Sequence, residues 1–189
     1  GAGGSQIPHY RGIAPRLLER IPLDHGGLIV ELSQRLHDRL KVDEFYAEYV
    51  ACLDELRLEE WPDFFTEDGE YGLWSRENRE AGLPAPMFLC RNQRQMRDRV
   101  KAYREANIYP DHWNRHLISA TRIVESSADT IVATSNYAVL QTRQDGESFV
   151  YQTGQCSDRL SRTGQGLLFR NRTIVYDTLA VRTLFVLPV

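Results

Sequence analysis

The pattern of hydrophobic and polar positions divides the chain into a helical first part and an extended second part. In DEFYAEYVACLDEL, residues 43–56, the spacing predicts a helix with one apolar face formed by Phe45, Tyr49, Cys52, Leu53 and Leu56. A second, short helix is expected around LEEWPDFF, where Trp61, Phe64 and Phe65 provide a large apolar surface.

The first forty residues mix prolines, glycines and short apolar runs. Gly26-Gly27 interrupts them, and LIVELSQRLHDRL (28–40) has the composition of a short helix. We interpret residues 1–40 as an N-terminal arm that packs on the body of the protein or on a partner. Residues 41–189 then form the main domain.

The middle of the chain alternates between turn signals and short elements. Asp68-Gly69 leads into a predicted strand, EYGLWS, and residues 76–90 are predicted to be a loop because Gly, Pro and charged residues dominate there. A helix is expected over 92–105. Asn92 is its predicted cap and Gln95 occupies the reciprocal capping position, while Met96, Val100 and Tyr103 form the buried stripe.

From His116 onward β-branched and aromatic residues dominate, which predicts four long strands over 115–126, 130–143, 147–161 and 167–178. Asp145-Gly146 is a two-residue hairpin signal, and Thr163-Gly164-Gln165-Gly166 is expected to turn the third strand into the fourth. Helices followed by an antiparallel meander indicate an α+β fold.

The predicted strands alternate poorly. In TIVATSNYAVLQTR both faces mix apolar and polar residues, whereas a sheet with one face in water shows a cleaner period of two. One explanation is that the sheet curves around the helices and meets a small-molecule cavity or a neighbouring subunit on its other side. The alternative is that the irregularity has no functional cause.

Composition narrows the classes of function. The net charge of −3 and pI near 6.0 do not favour nucleic-acid binding, which needs a clustered positive field. No apolar run has the length of a membrane span, and the first residues lack the hydrophobic core of a signal peptide. Cys52, Cys90 and Cys156 are scattered and odd in number, which favours reduced thiols and a cytoplasmic location.

Residues 111–119, DHWNRHLIS, are the main candidate for site chemistry because two histidines stand four apart. On a helix this spacing would bind a metal from one face, but Pro110 and the following β-rich sequence predict a strand. Side chains four apart on a strand lie about 13 Å from each other, too far for one ion. Acid–base chemistry by His116, opposite Asp54 or Tyr71, is a second interpretation. A structural histidine with Arg115 and Asp111 in surface ion pairs is the third, and the sequence favours it.

Other candidates are weaker. Cys156 lies in GQCSD, which contains no nucleophile motif, so a buried structural cysteine is expected. GQG at 164–166 is a turn rather than a phosphate loop. The helix at 91–104 is basic, but its charges are spread around it, which predicts a solvated or subunit-facing surface.

Three stretches, in this order, carry a family resemblance: EEWPDFFTEDGEY, REANIYPDHWNRHLIS and the final YDTLAVRTLFVLPV. Together they resemble the small (β) subunit of aromatic-ring-hydroxylating dioxygenases over residues 41–189. The run REANIYPDHWNRH is similar to the small subunit of terephthalate-type dioxygenases. Ala120 departs from the family, which often has an asparagine at that position.

The resemblance implies a cone-shaped α+β fold of the nuclear-transport-factor-like or cystatin-like type, with a curved antiparallel sheet wrapped around the N-terminal helices. It implies a non-catalytic subunit with no cofactor, metal ligand or catalytic residue of its own, in an assembly of three large and three small chains. The large subunit would carry a Rieske [2Fe–2S] cluster and a mononuclear Fe(II), with electrons supplied from NAD(P)H by a reductase. The product would be a cis-dihydrodiol of an aromatic acid or hydrocarbon.

The same fold also occurs in stand-alone lyases and isomerases, which hold a histidine or aspartate base and tyrosine donors in an interior pocket. In that alternative His116, Asp54 and Tyr71 would form the catalytic set. It predicts an open cavity of a few hundred Å³ lined by His116, whereas the subunit interpretation predicts an interior filled by Trp61, Phe65 and Tyr137.

Overall fold

A 30-residue helix and a six-stranded sheet account for most of the structure, a computed structural model that describes residues 25–83, 85–106, 112–177 and 188. The sequence elements are, in order, α1 (His25–Asp54), a 3₁₀ helix (Trp61–Phe64), β1 (Phe65–Ser75), α2 (Arg76–Glu80), β2 (Phe88–Cys90), α3 (Gln93–Ala106), β3 (His112–Ser126), β4 (Thr130–Arg143), β5 (Ser148–Thr163) and β6 (Gly166–Tyr176). The α+β fold predicted from the sequence is confirmed.

Helix α1 differs from the two separate helices predicted over 28–40 and 43–56. It is continuous because no proline or glycine interrupts it after Gly27, and Val42, at the predicted junction, is fully buried. Asp38 and Val42 continue the buried face toward the N-terminus. Leu56, predicted on this face, lies past the helix end with φ 57° and is partly exposed.

The sheet order is β2-β1-β6-β5-β4-β3. Strands β3 to β6 form the predicted antiparallel meander, but β1 pairs with β6 in parallel, so the sheet is mixed rather than wholly antiparallel. The parallel pair arises because α2, β2 and the following elements separate β1 from the meander in sequence. In the part of the chain described, β2 and β3 are open edges and the sheet does not close into a barrel.

Two turns and one helix cap predicted from short sequence motifs are confirmed. Gly146 has φ 85° in the turn between β4 and β5, and Thr163 pairs with Gly166 across the next turn. At α3 the Asn92 side chain accepts a hydrogen bond from the Gln95 N–H at 2.9 Å, and the Gln95 side chain accepts one from the Arg91 N–H at 2.8 Å.

The predicted loop over 76–90 contains two short elements. Ser75 Oγ accepts a hydrogen bond from the Asn78 N–H at 3.1 Å and so caps α2. Further along, Phe88–Cys90 pairs with β1 as β2. Among the described residues, no helix is long and apolar enough to cross a membrane.

Candidate functional site

The inner face of the sheet, covered by α1 and the 3₁₀ helix, is filled with aromatic rings. Trp61 and Tyr71 contact at a centroid distance of 5.3 Å, and Phe65 and Phe169 at 5.0 Å. Trp61 Nε1 donates a hydrogen bond to Tyr49 Oη at 3.2 Å. Trp61 and Phe65 are fully buried and Tyr137 nearly so, as the subunit interpretation predicted.

A buried ion pair lies within this aromatic interior. Arg172 Nη1 on β6 donates to Asp158 Oδ2 on β5 at 2.7 Å, and Tyr46 Oη of α1 donates to the same oxygen at 2.7 Å. The Arg172 guanidinium also lies 4.7 Å from the Tyr49 ring and 4.8 Å from the Phe169 ring. The pair was missed in the sequence because Asp158 and Arg172 become cross-strand neighbours only through the register of β5 and β6.

Burial determines the direction of the pKa shifts of Asp158 and Cys156 in this interior. It raises the pKa of Asp158 above its ordinary value of 3.8, although Arg172 and Tyr46 oppose the shift. It also raises the pKa of the neighbouring Cys156 thiol to about 12, despite the Arg172 charge. Since a thiolate is the nucleophilic form, this shift disfavours a nucleophilic role for Cys156, which is buried as predicted.

His116 and Asp54, two of the three candidate acid–base residues, are in contact. His116 Nδ1 lies 2.6 Å from Asp54 Oδ1, and the His116 backbone N–H donates to both carboxylate oxygens at 3.2 Å. Arg115, predicted to make a surface ion pair, lies 3.8 Å from Asp54 Oδ2. The carboxylate at the end of α1 therefore holds the start of β3 through both backbone and side chain.

A groove of about 440 Å³ runs between α1 and β3 beside this pair. It is lined by Arg39, Asp43, Tyr46, Ala47, Val50 and residues 116–121. His116 Nε2 is buried and has no hydrogen-bond partner among the described residues. Tyr71 is not part of this lining and lies in the aromatic interior, 5.3 Å from the Phe88 ring. The structure thus joins two members of the catalytic alternative and places the third elsewhere.

His112 and His116 both lie on β3, so the helical arrangement that would let them share a metal is absent. Within the described ranges, no group of three or more His, Cys, Asp or Glu side chains is placed to hold a metal ion. Cys52, Cys90 and Cys156 are free and buried.

Two arginines of helix α3 form ion pairs with acidic residues of the same chain. Arg97 donates to Asp63 at 2.7 Å and Arg104 to Glu59 at 2.8 Å, which ties α3 to the region of the 3₁₀ helix. These ion pairs are exposed and contribute little stability.

The outer face of the sheet, opposite α1, exposes large apolar side chains. Trp113 and Leu117 of β3 and Val150 of β5 are each more than half exposed. The β3–β4–β5 register places them in adjacent rows, with Leu140 between Arg115 and Val150. Exposed apolar residues grouped on one surface are typical of a protein–protein contact.

Comparison with known proteins identifies the family to which this chain belongs. A family model described as the SnoaL-like domain matches residues 34–173. The small subunit of anthranilate 1,2-dioxygenase from Burkholderia cepacia is 45% identical over 141 residues, which are 75% of this chain and 88% of that protein. The chain belongs to the small subunits of aromatic-ring-hydroxylating dioxygenases.

Two further similar proteins are also named as beta subunits of such dioxygenases. Subunit beta 2 of the terminal oxygenase component of terephthalate 1,2-dioxygenase from Comamonas sp is 31% identical over 151 residues, covering 80% of this chain and 98% of that protein. A crystal structure described as the beta subunit of an aromatic-ring-hydroxylating dioxygenase from Novosphingobium aromaticivorans superimposes with a TM-score of 0.74. It is 38% identical, and the match covers 85% of this chain and 99% of that one.

These relatives confirm the family and the nuclear-transport-factor-like fold predicted from the sequence. The terephthalate resemblance is confirmed as homology, and the anthranilate small subunit is more similar than the terephthalate subunits. The alternative of a stand-alone lyase or isomerase is not favoured by the homologues. Their names also imply a large-subunit partner.

Proposed function

We propose that this chain supports the catalytic large subunit of a terminal oxygenase by binding it through the outer face of the sheet. The observation that carries the proposal is the group of exposed apolar residues Trp113, Leu117 and Val150 on that face. A monomer gains nothing from exposing Trp113 and Leu117 on either side of the row that holds Val150, whereas a subunit buries them on assembly.

The donor atoms of this chain support a non-catalytic role. A Rieske centre takes two cysteines and two histidines, yet none of Cys52, Cys90 and Cys156 is followed by a histidine at Cys-x-His spacing. The buried cysteines also lie in the packed interior, so this chain's residues do not fit a cluster. We therefore assign the Rieske [2Fe–2S] cluster and the mononuclear Fe(II) to the large subunit.

The proposed reaction of the whole complex is the cis-dihydroxylation of an aromatic carboxylate with O₂ and NAD(P)H. The relatives named for anthranilate and terephthalate support an aromatic acid as the substrate class. We further propose three large and three small chains, a separate reductase as electron donor, and a cytoplasmic location, which the free cysteines support.

Two leucines allow a matched test of the docking face. Leu117 on β3 and Leu83 on the connection after α2 are both 53% exposed, so a glutamate at either position meets similar solvent. We expect Leu117→Glu to abolish or greatly weaken the complex when co-expressed with the large subunit, because it places a charge in the buried part of the interface. Leu83→Glu should assemble like the native chain.

The measurement is the native mass of the purified complex, with iron and sulfide counted in the same sample. A hetero-oligomer with the native chain and with Leu83→Glu, but not with Leu117→Glu, would support the proposal. Equal assembly of both variants would remove the outer face from the interface. Iron or sulfide bound to this chain in the absence of its partner would contradict the non-catalytic role.

A further inference from the structure

The outer face of the sheet changes in polarity along its strands. The register of β3, β4, β5 and β6 divides this face into rows of side chains that run across neighbouring strands. Trp113, Leu117 and Val150 lie in the rows nearest the turn between β4 and β5. The next two rows contain short uncharged polar side chains: Ser119, Asn136 and Gln155, then Thr134, Ser157 and Thr173. The outer face is therefore apolar at one end and continues into a hydrogen-bonding region.

Two arginines belong to this polar region. Arg122 of β3 shares a row with Thr134 and Ser157, and Arg159 of β5 lies in the following row. Each arginine is exposed and stands between buried residues of its own strand, so its side chain points away from α1. With about 4.8 Å between strands and about 3.4 Å per residue along a strand, their Cα atoms are about 12 Å apart. The side chains between them are short and leave both guanidinium groups open to a partner.

Neither guanidinium is paired within the part of the chain that the structure describes. The side chains of Arg122 and Arg159 form no ion pair or hydrogen bond with a described residue. Glu125 lies in the row of Arg159, but a residue of β4 separates the two. Glu70 of β1 lies two strands from Arg159 and accepts a hydrogen bond from Asn171 at 3.2 Å. Among these residues, both arginines therefore keep their N–H donors for an external acceptor.

The arginines lie close enough to the apolar rows to fall within one interface. A protein–protein contact of standard size buries about 800 Å² on each partner, the area of a disc about 32 Å across. By the same strand spacings, Arg122 lies about 14 Å and Arg159 about 22 Å from Leu117. A partner that covers Leu117 and extends along the strands therefore covers both arginines. Because a covered guanidinium without an acceptor loses its hydration uncompensated, that partner has to supply one.

We propose that Arg122 and Arg159 each pair with an aspartate or glutamate of the large subunit, an inference that rests on the outer-face docking proposed above. A carboxylate is the acceptor in proteins that matches the planar guanidinium, since it takes two parallel N–H bonds. The two pairs fix the orientation of the subunits, whereas the apolar rows supply the hydrophobic contact. The complementary surface of the large subunit thus carries two acidic side chains beside an apolar patch.

Carbodiimide cross-linking of the co-expressed complex tests the pairing, because this reagent condenses a lysine amine with a carboxylate that it contacts. The only lysines of the chain are Lys41 on α1 and Lys101 on α3, so the outer face has no native one. Arg122→Lys/Arg159→Lys keeps both charges and introduces two reactive amines. Mass spectrometry should find amide links from positions 122 and 159 to Asp or Glu of the large subunit. Arg94→Lys, exposed on α3, is the control and should give at most about one fifth of that yield.

Charge reversal tests whether the two pairs contribute to binding. Arg122→Glu/Arg159→Glu should weaken the affinity of the full chain for the large subunit about tenfold or more at low ionic strength. The loss should become smaller as salt is added, because salt screens charges at the edge of an interface. Arg94→Glu/Lys101→Glu carries the same change in net charge on exposed positions of α3 and should stay within about twofold of the native affinity.

The outcomes separate this pairing from the docking on which it rests. An assembled complex with no link from position 122 or 159 to the large subunit would overturn the ionic pairing and leave the apolar contact in place. Equal affinities of the two charge-reversal variants would also overturn it. Failure of the docking itself is recognised differently, because Leu117→Glu would then assemble like Leu83→Glu and neither arginine position would be cross-linked.

Discussion

The two faces of the sheet distribute polarity in opposite ways. The inner face buries charged Asp158 and Arg172 among aromatic rings, while the outer face leaves Trp113 and Leu117 in solvent. The buried charges are paired with each other within the chain, whereas the described residues leave these outer apolar side chains uncovered. The inner face is therefore stabilised by contacts within the chain, whereas the outer face is suited to binding a partner.

Substitutions on the two faces also differ in whether they change folding stability or assembly. Substitutions on the inner face act on folding, because they leave buried polar groups without partners or open cavities. Those on the outer face leave the stability of the isolated chain within about 0.5 kcal/mol and act on assembly.

The largest loss of folding stability is expected when the buried Arg172–Asp158 ion pair of the inner face is broken. Arg172→Met removes the cation and leaves Asp158 buried with only Tyr46 to satisfy it. Breaking a buried pair in this way costs about 3–5 kcal/mol of unfolding free energy. Urea denaturation followed by circular dichroism measures the loss at pH 7.

The double variant Asp158→Leu/Arg172→Met provides the control. Replacing both charges by apolar groups of similar size should recover most of the stability, because no charge then remains buried. A single variant that loses less than about 1 kcal/mol, well short of the cost of breaking a buried pair, would show that the inner face does not depend on these two residues. It would also remove the energetic contrast between the two faces.

A smaller loss of folding stability is expected from substituting Asp38, where α1 meets the ends of β3 and β5. Asp38 is fully buried and accepts hydrogen bonds from Ser126 Oγ at 2.6 Å and Arg162 Nη2 at 2.7 Å. Burial tends to raise the pKa of Asp38, but the hydrogen bonds from Ser126 and Arg162 outweigh it and lower the pKa below 3.8. Because the folded pKa is depressed, this stabilisation is present above pH 3.8 and is lost as the pH falls through the folded pKa.

Asp38→Asn should therefore cost about 2 kcal/mol at pH 7 and less at about pH 3. Asp43→Asn on the same helix is the matched control, because the Asp43 side chain is 43% exposed and pairs with Arg39 at 3.5 Å. Its effect should stay below about 0.5 kcal/mol. Urea titrations at several pH values distinguish the two variants, and equal losses would refute a special role for Asp38.

The sequence predicted those parts of the structure that depend on near neighbours. The turn at Gly146, the cap at Asn92 and the four strands of the meander all follow from residues within a few positions of one another. The continuity of α1 was missed because the predicted break relied on composition, whereas burial of Asp38 and Val42 keeps the helix packed across it.

The rest of the fold and site depends on distant residues. The parallel pairing of β1 with β6 joins segments about a hundred residues apart, and no local pattern specifies it. The Arg172–Asp158 pair likewise requires the register of two strands. The contact between His116 and Asp54 entered only through the acid–base alternative, which offered Asp54 or Tyr71 as the partner and which the sequence did not favour.

The smallest effect is expected at His116, which is buried on the edge strand β3 against the end of α1. Its contacts with Asp54 hold the end of α1 against β3, and the chemistry of the complex is assigned to the large subunit. His116→Asn keeps a side-chain N–H that can donate to Asp54, so turnover of the assembled oxygenase should stay within about twofold of the native value. His116→Ala removes that donor and should cost about 1 kcal/mol of stability with the same turnover per assembled complex. Steady-state turnover, normalised to the iron content of each complex, makes the comparison. A tenfold fall in turnover for His116→Asn with assembly intact would instead place an acid–base role in this chain, because the two variants would then share a loss that packing does not explain.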